Sequence, residues 1–366
     1  MSEPRLIKSD AGVHGDVARS WTLPSNLYTD PAVLAAEKEK IFARTWQLAG
    51  RSEQVRNAGD YFTTEVAGEP LLVVRGSDKY LRGFYNVCRH RAGPPAEGCG
   101  SRKVFRCGYH GWTYGLDGRL ITAPEMEGVE DFAPEKFGLT PIKAAEWSGL
   151  VFVNLDGGAP DLRKWLGELP AQAEKFGLER MRLHERREYV MECNWKTYID
   201  NFLEGYHLPS VHPSLNRELD YSAYRAETAA TYSRQWSPIR PPEKGSESRR
   251  YDAAQAGQTA EYFWIFPNWM LNCYPDNVSV NIVLPLGPEK CVAVFEWYFP
   301  ESALQTETPA KTVAFSDEIQ LEDGGICEKV QRNLRSRSYQ RGRFSVKQEK
   351  CVHHFHALYQ RAMERG

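Results

Sequence analysis

The stretch NVCRHRAGPPAEGCGSRKVFRCGYHGWTYGLDGRL, residues 86–120, contains two cysteine–histidine pairs. The pairs are Cys88-x-His90 and Cys107-x-x-His110, and sixteen residues separate them. Each pair lies beside glycine or proline, which favour turns, so the sequence predicts two short loops that carry one pair each. Two thiolates and two imidazoles arranged in this way are a metal-binding set.

Either a tetrahedral zinc ion or an iron–sulfur cluster is compatible with these four side chains. Zinc sites with two cysteines and two histidines usually group Cys with Cys and His with His, whereas each loop here supplies one of each. A Rieske [2Fe-2S] cluster has two histidines in place of two cysteines on one iron, and it suits mixed pairs from two facing loops. The pattern favours the cluster, and zinc stays as the alternative.

The residues around both pairs resemble a known family. The segments CRHR and CGYHGW and the hairpin YGLDGRL are similar to the two cluster loops of the Rieske oxygenase α subunits. This resemblance implies that Cys88, His90, Cys107 and His110 bind a [2Fe-2S] cluster. Because histidine ligands raise the reduction potential of such a cluster, this part of the chain is expected to receive electrons.

Length and composition limit the remaining possibilities. A chain of 366 residues usually has more than one core, so two domains are expected. With 46 basic and 48 acidic residues the net charge is −2. The sequence therefore lacks the excess of basic residues that is typical of nucleic-acid-binding and membrane-surface proteins. The N-terminus lacks the pattern of a signal peptide, and the six cysteines outside the pairs are scattered, so we expect a cytoplasmic protein with reduced thiols.

The pattern of hydrophobic residues changes twice along the chain. Residues 1–45 are expected to form a mobile arm over 1–20 and a helix over 31–42, with Leu34, Ile41 and Phe42 on its apolar face. Residues 46–156 show short alternating runs that predict strands at 61–65, 70–75, 81–85 and 150–154. Residues 157–366 begin with a helical connector interrupted at Pro170 and then predict strands at 188–192, 258–266, 278–285 and 291–299 and a helix at 308–338.

A second group of candidate metal ligands lies in residues 194–212. His207 and His212 are separated by four residues, and Glu204 lies one helical turn before His207. The segment has helical character up to His207, while Pro209 and Pro213 predict that His212 lies in an extended loop. Two histidines and a carboxylate form the facial triad that binds non-haem Fe(II). Two histidines at this spacing alone are more often structural, so the interpretation depends on the first motif.

The string N-W-K…D-N-F-L-E-G-Y-H…H resembles the mononuclear-iron motif of the Rieske oxygenases. The resemblance implies that His207 and His212 are iron ligands and that Asn201 lies beside the iron. It also implies a third ligand from an acid shortly before V-Q-R, which indicates Asp323, with Glu322 as the alternative.

Family resemblance also implies an assembly and a fold. Members commonly form head-to-tail rings, often trimers, in which an acidic residue bridges a cluster histidine of one subunit to an iron histidine of its neighbour. Glu204 has that position here, where many ring-hydroxylating members have Asp. The implied fold is α+β: a β-rich Rieske domain at 46–156 followed at 157–366 by a helix-grip, START-like catalytic domain with an antiparallel sheet and long helices.

The expected chemistry is hydroxylation of a C–H bond with O2, and the electrons come from elsewhere. No G-x-G-x-x-G follows a predicted strand, so NAD(P)H is expected to act only through a separate ferredoxin or flavin reductase. The alternatives are an aromatic-ring dioxygenase α subunit that makes cis-dihydrodiols and a non-catalytic electron carrier or zinc-stabilised binding protein.

The substrate class is indicated by the segments at 267–275, 283–288, 327–332 and 353–358, which resemble the choline monooxygenase branch. Members of that branch act on quaternary ammonium compounds such as choline, betaine, carnitine or stachydrine. A quaternary ammonium ion is held by aromatic faces rather than by a hydrogen bond to its nitrogen. The candidate aromatic residues, which also suit ordinary core packing, are Trp264, Phe266, Trp269, Tyr274 and Tyr206.

Overall fold

The computed structural model describes residues 12–241, 250, 251, 255 and 257–365. The chain divides into a β unit, Lys38–Trp165, and a mixed unit that combines Met1–Glu37 with Leu166–Gly366. The expected domain limits at residues 45 and 156 lie close to this division and stay predictions. Residues 1–11 of the expected mobile arm lie outside the described residues. Within those described ranges, no helix has both the length and the apolar character needed to cross a membrane.

Antiparallel sheets make up the β unit. One sheet has seven strands in the order β1-β10-β9-β4-β3-β2-β5, and a smaller sheet has the order β6-β7-β8. The four strands expected from alternation are confirmed, two of them with the same limits. The strands are β1 Gln47–Arg51, β2 Asp60–Val66, β3 Glu69–Arg75, β4 Leu81–Tyr85, β5 Cys99–Ser101, β6 Val104–Arg106, β7 Thr113–Gly115, β8 Leu120–Thr122, β9 Pro141–Trp147 and β10 Leu150–Asn154.

The mixed unit contains one antiparallel sheet in the order β11-β17-β16-β15-β14-β13-β12. Its strands are β11 Met181–Met191, β12 Arg225–Thr228, β13 Tyr232–Pro238, β14 Thr259–Ile265, β15 Trp269–Tyr274, β16 Asn277–Gly287 and β17 Lys290–Pro300. The helices of the described chain are α1 Pro31–Lys40, α2 Leu162–Leu166, α3 Leu169–Ala173, α4 Trp195–Phe202, α5 Leu208–Val211, α6 Pro213–Glu218, α7 Thr308–Leu334 and α8 Lys350–Glu364. This combination agrees with the expected α+β class.

The long helix α7 packs by one face. Val313, Gln320, Gly324, Cys327 and Gln331 are buried along it, at the three- and four-residue spacing that places side chains on one side of a helix. The helix therefore presents a fixed set of side chains to the sheet of the mixed unit.

In the sheet of the mixed unit, paired residues of β14, β15, β16 and β17 form a row of side chains on one face. Tyr262 pairs with Asn272, Asn272 with Ser279, and Ser279 with Trp297. Because side chains alternate along a strand, residues paired in this way lie on the same face of the sheet. All four line a cavity that residues of α7 also line.

Several expected limits differ from the structure. Helix α1 ends at Lys40 and buries Val33 and Glu37, whereas Leu34 is half-buried; Ile41 and Phe42 are buried but lie beyond the helix. The first strand of the mixed unit begins at Met181, seven residues before the expected Glu188, and α7 ends at Leu334 rather than at Ser338. These differences concern element ends, where the hydrophobic period carries little information.

The expectation that His212 lies in an extended loop is wrong, and so is the expectation that helix continues to His207. Helix α4 ends at Phe202, and Pro209 and Pro213 lie in the first turns of the short helices α5 and α6. Proline is tolerated there because the first N–H groups of a helix have no partner within it. His207 and His212 therefore flank one helical turn.

Candidate metal centres and their cavity

Two loops of the β unit have the same backbone hydrogen-bond pattern. In the first, the Cys88 N–H donates to the Gly93 carbonyl and the Ala92 N–H donates to the Cys88 carbonyl. The second repeats the pattern with Cys107, Trp112 and Gly111 in the corresponding roles. The fifth residue of each loop has positive φ, 58° at Ala92 and 75° at Gly111. Each cysteine therefore begins a loop of equal shape.

The side chains of these loops converge. Cys88 and Cys107 are buried, and the rings of His90 and His110 lie 4.5 Å apart between centroids. His90 Nδ1 is buried and has no hydrogen-bond partner within the described chain. Burial, with the nearby charges of His90 and Arg91, lowers the pKa of His110, which favours the neutral imidazole that binds metal. Two buried thiols and two neighbouring imidazoles fit a Rieske cluster.

One candidate ligand has a polar neighbour. The Tyr114 hydroxyl lies 3.1 Å from Cys88 Sγ and accepts a 3.0 Å hydrogen bond from the Arg89 N–H. Since its acceptor side is occupied by that N–H, the hydroxyl can donate its own proton to the sulfur. Burial and this sulfur raise the pKa of Tyr114, so the donor stays protonated.

A second centre lies in the mixed unit, where His207, His212 and Asp323 each offer one ligand atom within 4.8 Å of the others. His212 Nε2 lies 2.9 Å and His207 Nε2 lies 3.7 Å from Asp323 Oδ1. The two histidines flank α5, and Asp323 comes from the middle of α7. Among the described residues, no other three or more potential ligand atoms all lie within 4.8 Å of one another.

Carboxylates hold the outward nitrogen of each imidazole. His207 Nδ1 lies 2.6 Å from Glu204 Oε1, and His212 Nδ1 lies 2.7 Å from Glu322 Oε2. This arrangement orients the histidines and leaves each Nε2 directed at Asp323. Burial lowers the pKa of His212, but Asp323 and Glu322 outweigh it and raise that pKa, so the centre favours added positive charge. The residues fit a mononuclear iron site.

Glu322 was the alternative to Asp323 as the third ligand. The structure directs Glu322 to the outward nitrogen of His212, while Asp323 lies at the point of convergence. Asn201 donates from Nδ2 to Asp323 Oδ1 at 2.5 Å. Glu204 uses its second oxygen to accept the N–H groups of Tyr206 and His207, which fixes its carboxylate beside the centre.

A cavity of about 880 Å³, part of it open to solvent, extends from this triad. Its aromatic walls come from α4, α7 and the sheet, and three tyrosines form a packed group. The Tyr251 and Tyr274 rings stack at 5.5 Å, and Tyr262 meets Tyr274 edge-on at 5.8 Å. Among the described lining residues, the acids are Glu204 and Asp323. A cation in this cavity would therefore meet several aromatic side chains, while the two carboxylates belong to the triad or contact it.

The five aromatic residues expected around the substrate are distributed differently. Tyr274 lines the cavity, and the other four are not among its lining residues. Trp264 is fully buried and packs on Phe355 of α8, with Phe266 beside it, and Trp269 is fully buried. Tyr206 is 57% exposed.

The sequence interpretation missed most of the cavity wall. The missed aromatic residues are Tyr198, Phe202, Tyr224, Tyr251, Tyr262, Phe295, Trp297 and Phe315. Strand alternation excludes Trp269, since it lies on the opposite face of β15 from Asn272 and Tyr274. Alternation does not separate Tyr262 from Trp264, which differ only in position along the strand.

Comparison with known proteins matches one family model to part of each unit. Residues 45–133 match the model of the Rieske [2Fe-2S] domain, and residues 178–365 match that of the ring hydroxylating alpha subunit (catalytic domain). The chain is 35% identical over 353 residues to a chloroplastic choline monooxygenase of Arabidopsis thaliana, covering 93% of this chain and 82% of that one. It is 33% identical over 352 residues to the carnitine monooxygenase oxygenase subunit of Escherichia coli K12, covering 93% of each.

Among solved structures, a quaternary ammonium Rieske monooxygenase superposes with a TM-score of 0.83 at 29% identity, covering 94% of this chain and 96% of that chain. That structure is described as giving insight into carnitine oxidation by gut microbiota and inter-subunit electron transfer. Because the catalytic model matches more than half of the chain, and these relatives match it over nearly its whole length, this chain belongs to the Rieske non-haem iron oxygenases of the ring-hydroxylating α-subunit family, whose members carry a Rieske [2Fe-2S] cluster and a mononuclear iron and work with O2 and a separate reductase.

Proposed function

We propose that this chain is the terminal oxygenase of a multicomponent monooxygenase that hydroxylates a C–H bond of a quaternary ammonium compound. The observation that carries this proposal is the cavity beside His207, His212 and Asp323, whose described lining residues include nine Phe, Tyr and Trp side chains and two carboxylates. Aromatic faces attract an onium ion, whose nitrogen has no N–H to donate in a hydrogen bond. The relatives named for choline and carnitine act on compounds of this chemical class.

His207, His212 and Asp323 are the residues that would hold the iron, and Cys88, His90, Cys107 and His110 those that would hold the cluster. Bound there, a non-haem Fe(II) ion supplies O2 activation and a Rieske cluster supplies an electron. The protein's own part is to orient these ligands, through Glu204 and Glu322 at the iron histidines. It also keeps water away from the reacting carbon with the apolar side chains around the cavity.

Substrate positioning is assigned to the group formed by Tyr251, Tyr262 and Tyr274. The Tyr262 and Tyr274 hydroxyls lie 3.1 Å apart, so their hydrogen bond fixes the two ring planes. Rings held in this way present preformed faces to a trimethylammonium group. The group then directs a methyl or methylene next to nitrogen toward the iron centre.

Glu204 is assigned the bridge between subunits, in a ring that we propose to be a trimer. Its carboxylate contacts His207 and is only partly buried, with 13% of the side chain exposed. The exposed part of the Glu204 side chain is available to a histidine of a neighbouring subunit. The related quaternary ammonium monooxygenase described for inter-subunit electron transfer supports this assembly.

The balanced reaction needs one O2, two electrons and two protons for each C–H bond. One oxygen atom enters the C–H bond as a hydroxyl group, and the other leaves as water. The electrons come from NAD(P)H through a separate reductase. Hydroxylation next to the nitrogen makes the C–N bond labile, so an aldehyde or formaldehyde is released.

Turnover with isotopically labelled oxygen tests the proposal. The protein, loaded anaerobically with both metal centres, is combined with a Rieske reductase, NADH and ¹⁸O₂, and presented with quaternary ammonium compounds and simple arenes. We expect O2 consumption coupled to an onium compound with one labelled atom in the product. A doubly labelled cis-dihydrodiol from an arene would instead place the protein among the ring dioxygenases.

A further inference from the structure

One polar group in the cavity has no explanation in the chemistry described so far. Arg250 lines the cavity that the iron triad also lines, and only 5% of its side chain is exposed. Its Nη2 donates to Asp276 Oδ1 at 3.0 Å and to Asp276 Oδ2 at 2.9 Å. Its Nε is buried and has no hydrogen-bond partner in the described parts of the chain.

A buried guanidinium N–H without an acceptor is unusual, because leaving such a donor unmet is unfavourable. The guanidinium cannot lose its proton to escape this, since arginine stays charged in proteins. The acceptor that suits it best is a carboxylate, which forms short charge-assisted hydrogen bonds with arginine. The unmet donor therefore indicates a ligand that carries an anionic oxygen.

The surroundings of Arg250 are fixed before any ligand binds. Asp276 is itself held by a 2.7 Å hydrogen bond from Asn277 Nδ2. The Arg250 guanidinium lies 4.7 Å from the centroid of the Tyr251 ring, and Tyr251 stacks on Tyr274. The charged group is thus fixed next to the tyrosines assigned to the onium ion. Because Asp276 occupies Nη2, Nε remains available to a ligand.

We propose that Arg250 binds the carboxylate of the substrate through Nε, so that the enzyme acts on quaternary ammonium carboxylates in preference to choline. This inference rests on the proposed function and selects one class within it. A zwitterion places its carboxylate at Arg250 Nε and its onium group on the tyrosines, so the unmet donor gains an acceptor. Choline has no anionic group and leaves that donor without an acceptor.

The position of Arg250 also assigns a direction to the substrate. Asp276, which anchors Arg250, lies in the turn between β15 and β16, whereas the histidines of the iron triad flank α5 and its aspartate lies on α7. A carboxylate at Arg250 therefore leaves the onium end of the substrate for the iron centre. The carbon that reacts is then attached to nitrogen rather than to the carboxylate.

Binding of matched ligand pairs to the metal-loaded enzyme tests this inference. Anaerobic calorimetry compares γ-butyrobetaine with its primary amide, in which an uncharged amide replaces the carboxylate, and glycine betaine with choline. We expect the wild type to bind the tighter-binding of the two carboxylates at least about tenfold more tightly than its counterpart without a carboxylate, in line with a charge-assisted hydrogen bond. Equal binding of acid and amide, or tighter binding of choline, would overturn the inference.

Variants locate the effect. Arg250→Gln should weaken binding of the acid by about tenfold or more and change binding of the amide by less than about threefold. Arg234→Gln is the matched control, because Arg234 also ion-pairs with carboxylates, those of Glu227 and Glu261, but does not line the cavity. Equal weakening of acid and amide by Arg250→Gln would assign the residue a structural role and contradict the proposal.

A double variant separates loss of stability from loss of binding, and turnover assays separate failure of this inference from failure of the proposed function. Where Arg250→Gln lowers the thermal midpoint, the double variant Arg250→Gln/Asp276→Asn removes the unpaired carboxylate, and it should show the same selective loss for the acid. Coupled turnover of choline without turnover of any carboxylate would leave the proposed function standing and overturn this inference alone. Absence of coupled turnover with acids, amide and choline would overturn both.

Discussion

His212 Nε2 lies 2.9 Å from Asp323 Oδ1, although the two residues are separated by 111 positions in the chain. His207 Nε2 is directed at the same oxygen from 3.7 Å. One carboxylate oxygen facing two imidazole nitrogens is an arrangement that a divalent cation stabilises, because all three atoms are electron donors. The outward nitrogens are held by other carboxylates, so neither ring can turn away without breaking a hydrogen bond.

The first prediction concerns Asp323 itself. Asp323→Ala should remove the mononuclear iron while the Rieske cluster remains, since the two centres use different residues. Iron analysis should then show only the iron of the cluster, and the cluster's visible absorption should be unchanged. Hydroxylation should fall to background.

Glu322→Gln is the control for that variant, because Glu322 contacts His212 only at the outward nitrogen. Loss of a carboxylate in this position typically weakens metal affinity by about 10- to 100-fold without abolishing the site. The iron should therefore return when the variant is incubated with excess Fe(II). Complete loss of iron in Glu322→Gln, with iron retained in Asp323→Ala, would exchange the roles assigned to the two acids.

The second prediction concerns Glu204. Glu204→Gln, incubated with excess Fe(II) like Glu322→Gln, should contain both metal centres and turn over about 10- to 100-fold more slowly, because the amide weakens the link between His207 and the cluster of a neighbouring subunit. Rapid mixing of the reduced enzyme with substrate and O2 should show slow oxidation of the cluster. His207→Ala serves as the comparison, since it should lose the mononuclear iron. Normal turnover by Glu204→Gln would show that the carboxylate is not the bridge.

A third variant tests the polar contact of the cluster. Tyr114→Phe should lower the reduction potential, since the hydroxyl lies 3.1 Å from Cys88 Sγ and a hydrogen bond to sulfur stabilises the more negative, reduced cluster. A tenfold change in this one-electron equilibrium corresponds to about 59 mV. Redox titration followed by electron paramagnetic resonance gives the shift. An unchanged potential in a variant with a full cluster would mean that the hydroxyl does not donate to the sulfur.

The fourth prediction tests the aromatic wall. Tyr262→Leu should raise the KM for the quaternary ammonium substrate by about 2- to 30-fold, which corresponds to about 0.5–2 kcal/mol for one cation–π contact. Tyr262→Phe keeps the ring and should have a smaller effect. Trp264→Phe is a useful comparison, since Trp264 packs on Phe355 and does not line the cavity. An equal effect of Leu and Phe at position 262 would exclude a role for the ring face.

These residues also show how far sequence reasoning extends. The cluster loops and the His207–His212 pair were predictable because their ligands lie close together and the chemistry limits their spacing. Asp323 required a family resemblance, since nothing local distinguishes it from Glu322. The cavity wall was not predictable, because whether Tyr262 or Trp264 meets the substrate depends on which helix covers that part of the sheet. The prediction of an extended loop at His212 was wrong because Pro209 and Pro213 both lie at the starts of helices, where proline is tolerated.

The last prediction concerns the buried charge that supports α4, the helix that carries Asn201. Lys196 and Glu37 are both fully buried and form a 2.5 Å ion pair, and Glu37 also accepts hydrogen bonds from Trp195 Nε1 and Tyr359. Lys196→Met should destabilise the mixed unit by about 3–5 kcal/mol, because it leaves a buried carboxylate without its cation. Adding Glu37→Gln removes that charge; the amide oxygen can accept from Trp195 Nε1 and the amide nitrogen can donate to the Tyr359 hydroxyl, so the double variant should recover part of the lost stability. Urea unfolding of the metal-loaded proteins measures both changes. A double variant less stable than Lys196→Met would mean that the carboxylate stabilises the fold through Trp195 and Tyr359 more than through Lys196.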